Sequence, residues 1–216
     1  MSLFLNKIEA VVARINSEPQ VKLVNYTVEP LTSQDEISVL KQVVPELLLS
    51  KISDLLFNDL LACKLVWEAS EQVFGDGCTR GYVQLLSPKE MLAQLDDQKF
   101  EAEEAEINQH GNEVGYQAII EDWPHWIPLF RFRSGDVFCI ETRESGFPVV
   151  LLEHDVADAG PNLHGLQIAK NIETLINDWS SLLFIEVNDW SEICNEDGLN
   201  LNSSILRKIR HEKGQN

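Results

Sequence analysis

Residues 126–155 read WIPLFRFRSGDVFCIETRESGFPVVLLEHD, and the fold turns on this stretch. It holds three runs rich in β-branched and aromatic residues: Trp126–Phe132, Asp136–Thr142 and Phe147–Leu152. Such side chains pack well on a pleated surface and are depleted in turns. Ser134-Gly135-Asp136 and Glu144-Ser145-Gly146 separate the runs with glycine-containing joints of hairpin length. The pattern predicts a three-strand antiparallel meander.

Outward from the meander, helix signals dominate. On the C-terminal side, Asn171 is a good N-cap for a helix over Ile172–Phe184, with Ile172, Leu175, Ile176, Trp179, Leu182 and Leu183 on one face. Ser191–Leu201 is polar and loop-like, and Arg207, Lys208, Arg210 and Lys213 form a basic tail. On the N-terminal side, Ser87 caps a helix with Pro88 in its first turn, running through Met91 to Gln98 and on into Phe100–Ile107. Strands are expected at Lys64–Ala69 and Gly81–Leu86, joined by a loop containing Gly75-Asp76-Gly77. Ser33 and Glu36 make a capping box for a helix over Gln34–Val43 that must stop before Pro45. A second helix follows with Leu48, Ile52, Leu55 and Leu56 on its apolar face. Phe4, Ile8, Val11, Val12 and Ile15 predict an N-terminal helix, and Val21–Val28 a strand or an extended connector.

The whole is expected to be one α+β domain over residues 1–216, with an antiparallel sheet of about four to six strands and helices packed on it. No apolar run reaches the ~18 residues needed to span a bilayer, and no basic-then-apolar leader opens the chain, which points to the cytoplasm. The four cysteines, Cys63, Cys78, Cys139 and Cys194, contain no C-x-x-C pair and are expected to be reduced thiols.

Charge is the loudest bulk property. The net −18 argues against nucleic-acid and anionic-membrane partners, which need clustered Lys and Arg, and favours a basic protein partner. The bland alternative is acidity that only maintains solubility. Asp96–Asp122 carries nine Asp or Glu and one Lys. A solvated face is the expected reading there, because the oxygen spacing and central glycine of a calcium loop are missing.

Signals for catalysis are weak. The histidines include no H-E-x-x-H or H-x-H pair. Glu153-His154-Asp155 is the densest polar triplet, but on a strand Glu153 and Asp155 would share a face while His154 points away. Cys139 with His154 as base is disfavoured because the thiol sits mid-strand between Phe138 and Ile140. Neither a G-x-S-x-G elbow nor a phosphate or dinucleotide glycine loop occurs. Trp123-Pro124-His125-Trp126 puts two indoles around a proline, suited either to a binding anchor or to closing the core.

The order of these elements resembles the SUKH superfamily, named in part for fungal regulators of cell-wall synthesis. The resemblance rests on "PLTSQDEISVLKQVVPELLL", a strand bearing Trp67, "GYVQLLSPKEML", "WIPLFRFRSGDVFCIET", "VVLLEHD" and "NIETLINDW". It runs from about Val28 to Phe184, leaving 1–27 as a helix and connector and 185–216 as an extension. It implies a non-enzymatic α+β protein without a cofactor or metal, most often an immunity protein that neutralises a partner toxin. The alternative within the family is a regulatory adaptor of the cell-wall-synthesis type. A hydrolase or metal enzyme using Glu141, His154 and Asp155 is the reading from another class. The positions matching recurrent family residues are Trp67, Gly81, Trp126, Pro128, Gly135, Asp136, Glu141, His154 and Asp155, with Glu141 standing where the family favours aspartate. The expected binding residues are therefore Trp67, Trp123, Trp126, Asp136, Glu141, His154 and Asp155, on an acidic surface displayed by the sheet.

Overall fold

A computed structural model describes residues 1–70, 73, 79–108, 110–203 and 206. The expected Gly75-Asp76-Gly77 loop, Cys78 and the basic tail lie outside the described residues. The protein is α+β, with one antiparallel sheet of nine strands rather than about four to six. The strands are β1 (Val21–Pro30), β2 (Leu60–Ala69), β3 (Arg80–Leu85), β4 (Trp126–Arg131), β5 (Val137–Glu141), β6 (Val149–Leu152), β7 (Gln167–Ala169), β8 (Cys194–Asn195) and β9 (Gly198–Leu199). Their spatial order is β1-β2-β3-β4-β5-β6-β7-β9-β8.

The meander forms as expected, with Ile140 opposite Ile127 on one side and Val149 on the other. What differs is its exposure. Phe138, Ile140, Val149 and Leu151 face the main core, while Val137, Cys139, Val150 and Leu152 face a second apolar cluster with Trp126. Every residue of β5 and β6 is buried, so these strands display no acidic surface. Runs of this kind lack a polar face because both sides of the sheet are covered.

Ser2 caps α1 (Leu3–Ser17), whose Phe4, Ile8, Val11 and Ile15 enter the main core. Residues 1–27 are therefore integral to the domain, and Val21–Pro30 is an edge strand. The expected helix over Gln34–Val43 is one α turn, α2 (Asp35–Ser38), followed by a tighter 3₁₀ turn over Val39–Gln42. Half of its capping box forms. Glu36 accepts from the Thr32 and Ser33 amides, while Ser33 Oγ accepts from Asp35 N instead of Glu36 N. Next, α3 (Glu46–Ile52) widens into a π turn over Ser53–Phe57, and Ser53 Oγ donates back to Leu49 O. The wider turn rotates the apolar stripe, so that Phe57 is buried and Leu55 only half so.

The long helix α4 (Pro88–Ile107) carries the full capping box of Ser87 and Glu90. Its buried positions Met91, Leu95, Gln98, Ala102 and Ala105 alternate steps of four and three, a narrow seam rather than a broad face. Met91 and Leu95 enter the main core, whereas Ala102 meets Ile119 of α5 (Val114–Asp122) and Val156 of the short α6 (Val156–Ala159). At Gly115 the backbone of α5 meets α6, where a Cβ would lie 2.1 Å from Val156 O.

Two C-terminal expectations are corrected. Helix α7 (Ile172–Ser181) is capped by Asn171 and stops short of the expected Phe184. Leu183 and Phe184 instead take left-handed backbone, with φ of 59° and 55°. Each such residue costs about 1–3 kcal/mol and persists only when its surroundings hold it. Here they do: Trp67 Nε1 donates to Leu183 O at 2.6 Å, Trp179 Nε1 donates to Ile185 O at 2.8 Å, and Ile185 bridges to Gly81. Ser191–Leu201, expected to be loop, contains the β8–β9 hairpin that extends the sheet. Gly198 lies against β7, where a Cβ would meet Ile168 O at 2.4 Å. None of the helices among the described residues is long and apolar enough to cross a membrane.

Candidate functional site

The residues expected to bind resolve into three separate local arrangements. Trp67 is fully buried and lies across Gly81, where any Cβ would fall 2.0 Å from its indole nitrogen. The glycine is what admits the ring, and the ring's N–H holds the turn after α7. Trp67 thus offers no surface to a partner.

Trp126 and Glu141 form the second arrangement, on the far side of the meander. Paired across β4 and β5, they are joined by a 2.8 Å bond from Trp126 Nε1 to Glu141 Oε2. Arg143, two residues on, donates its backbone N and Nε to Glu141 Oε1 at 2.7 and 2.9 Å, and its Nη2 reaches Glu141 Oε2. The same Nη2 donates to Asp122 Oδ1 at 2.7 Å. Burial pushes the Glu141 carboxyl up, yet the bonds from Arg143 and Trp126 outweigh it and leave the pKa below the ordinary 4.5. Asp122 is likewise pushed up by burial and brought below its ordinary value by His164 and Arg143. His164 stacks on Trp126 at 4.6 Å with its Nε2 3.4 Å from Asp122 Oδ2, a polar contact too long to be a good hydrogen bond. Gln98 of α4 donates to the carbonyls of Trp123 and Trp126, and half-buried Trp123 packs beneath. Both tryptophans of the Trp123–Trp126 pair therefore close the second apolar cluster.

The third arrangement is a pocket at the open end of the meander. Gly135 has φ +104° and sits against the His154 ring, where a Cβ would lie 2.9 Å away. Asp136 Oδ1 accepts from His154 N at 3.1 Å and lies 3.0 Å from Nδ1, while Ser134 Oγ donates to Oδ2. The strand stops at Leu152, so the face-sharing expected of Glu153 and Asp155 does not arise. Glu153 turns to the following loop and accepts from Asn162 N and His164 N, both at 2.9 Å, and exposed Asp155 opens α6. Beside them is a cavity of about 220 Å³ lined by Arg80, Asp136, Glu153, Asn162, Glu186 and Trp190, among others.

Glu186 is the unusual member. Only 5% exposed, it pairs with Arg80 Nε at 2.7 Å, in a geometry that falls short of a hydrogen bond. Burial raises its pKa above 4.5 against the opposing pull of Arg80 and Arg133. A perturbed carboxyl beside a cavity is where acid–base chemistry is sought first. A reaction needs more: a nucleophile or water held between a base and an oxyanion donor. Each carboxylate here already holds a protein group, and the thiol proposed earlier is remote in character. Burial pushes Cys139 well above its ordinary pKa, so it stays a protonated core thiol, and burial pushes Cys63 and Cys194 up to about 12. Among the described residues, no group of three or more His, Cys, Asp or Glu could hold a metal ion.

Arg143, Asp122, His164, Gln98, Arg80 and Glu186 had not been singled out. Arg143 carried a signal, since a strand places residues two apart on one face. Arg80 and Glu186 carried none, because their meeting depends on the turn after α7. In comparisons with family models, curated proteins and solved structures, the chain finds no match, and the resemblance to the SUKH superfamily rests on the motifs quoted above.

Proposed function

We propose that this protein is a non-enzymatic, SUKH-like binding module of the immunity type, whose acidic surface neutralises a basic partner toxin. The observation that carries the reading is the charge, −18 over 216 residues, together with its placement. Asp96, Asp97, Glu101, Glu103, Glu104 and Glu106 all project from α4 into solvent, with only half-buried Lys99 among them. Such a field speeds encounter with a cationic protein and repels nucleic acid and anionic lipid. A basic nuclease-like toxin domain is the partner chemistry it matches.

The test is genetic and biophysical. A gene beside this one should encode a protein ending in a basic toxin domain, and co-expression of the two chains should restore growth. The complex should weaken steeply as salt rises, because exposed charge pairs are screened over about 8 Å at physiological ionic strength. Unrelated neighbours, with no rescue by co-expression, would replace this reading with that of a regulatory adaptor.

A further inference from the structure

The distal half of α4 is built against its own interests. Phe100 and Ile107, seven residues apart, lie on one helical face and are 57% and 76% exposed. Val114, which opens α5 just past the turn, is 66% exposed. Among the described residues the exposed large hydrophobics are Met1, Val24, Leu47, Phe100, Ile107 and Val114, and two of the six share this one face of α4, with Glu103 and Glu104 between them. Scattered single apolar residues are ordinary on a surface, whereas a cluster marks a contact site.

The charges around the cluster are also placed at a cost. The last turn of α4 carries Glu104 and Glu106, with Glu103 just before it, and no basic residue. Carboxylates there face the negative end of the helix dipole, and Glu103 and Glu106 repel each other three residues apart. The turn beyond is nonetheless well held: His110 stacks on Tyr116 at 4.6 Å and its Nδ1 lies 2.8 Å from Glu113.

We infer that this face of α4, carrying Phe100, Glu103, Glu104 and Ile107, is the docking surface for a basic amphipathic helix of a partner protein. The partner's apolar side would cover Phe100 and Ile107, and its Lys or Arg would reach Glu103 and Glu104. Charge selects this occupant. A second copy of the chain brings the same −18, and nucleic acid and anionic membranes bring more negative charge. A cationic partner also relieves the unfavourable helix terminus. The inference rests on the reading of this protein as an acidic binding module, and adds where on its surface binding occurs and what covers it.

Two synthetic helical peptides of equal charge serve as probes, one of lysine and leucine with an apolar face and one of lysine and serine without. The first should bind the full-length protein more tightly than the second. Its affinity should drop about tenfold or more, about 1.4 kcal/mol, for Phe100→Ser/Ile107→Ser and for Glu103→Gln/Glu104→Gln. A control, Glu29→Gln/Glu68→Gln on the exposed β1–β2 surface, should bind as the parent does. All the substituted side chains are exposed, so circular dichroism should show each variant folded. If the two peptides bind equally and the α4 variants match the control, the acidic-module reading stands and this location is overturned. If neither peptide binds, both fall.

Discussion

Two buried glutamates face arginines in different parts of the sheet, and they titrate in opposite directions. Glu141 in the meander is 4% exposed and Glu186, beside β3, is 5% exposed, so surface exposure alone does not separate them. Donors do. Glu141 receives the Trp126 indole N–H, a backbone N–H and the Arg143 guanidinium, and its pKa falls. For Glu186 burial outweighs the ion contact with Arg80, the charge of Arg133 and a backbone N–H from Arg133, Asp136 adds to the rise, and its pKa goes up. The lesson is that a buried carboxylate is stabilised by the number and geometry of the donors that replace water, not by the presence of one opposite charge.

The comparison can be broken most decisively at Glu141. Glu141→Ala strands the Trp126 N–H and leaves Arg143 without its main partner, and should lower stability by about 3 kcal/mol in a denaturant titration. The sign with pH follows from linkage. A carboxyl with a lowered folded pKa binds fewer protons when folded, so its contribution is full above 4.5 and is lost as pH falls through the lowered value. The gap between parent and variant should close over that acid range. A gap that stays constant with pH would mean that packing, not the charge, is what Glu141 supplies.

Trp126→Phe is a finer cut. It keeps a ring in the second apolar cluster but removes one bond to a charged acceptor, for an expected loss of about 2 kcal/mol. Chemical denaturation measures it, and an unchanged midpoint would show that Arg143 alone suffices.

Glu186→Gln should have the smallest effect at neutral pH, within about 1 kcal/mol and on the stabilising side, because removing a poorly compensated buried charge is often neutral or favourable. Here the sign is reversed. A carboxyl with a raised folded pKa contributes stability that is fully present below 4.5 and is lost as pH rises through the raised value. The parent should therefore lose ground to Glu186→Gln as pH climbs above 4.5. If the variant is clearly destabilised at neutral pH instead, the Arg80 pair is strong and the contrast with Glu141 disappears.

Much of the fold was legible because its signals are local. The cap at Ser87, the stripe of α1 and the glycine joints of the meander each work within a few residues, and all formed. The errors fall where distant contacts intervene. Helix α7 stops short because Trp67 and Gly81, more than a hundred residues away in sequence, draw Leu183–Glu186 onto β3. The polar stretch after Ser191 pairs as β8 and β9 because Gly198 lets it close on β7. Of the residues expected to bind, Trp67, Trp126 and Glu141 proved to be held inside, although the unbroken apolar runs Val137–Ile140 and Val149–Leu152 are the pattern of strands covered on both faces.

By itself the sequence determined the charge, the helix starts at Ser87 and Asn171, the three strands of the meander and the α+β class, since these depend on composition and on neighbours a few residues apart. Only the tertiary structure decided which carboxylates face solvent. An acidic residue in a strand and one on a helix carry the same charge in the chain, but Glu141 ends among four donor groups while Glu103 and Glu104 stand in water beside uncovered Phe100 and Ile107. That difference arises from what packs against each element, and packing is set by parts of the chain far apart in sequence.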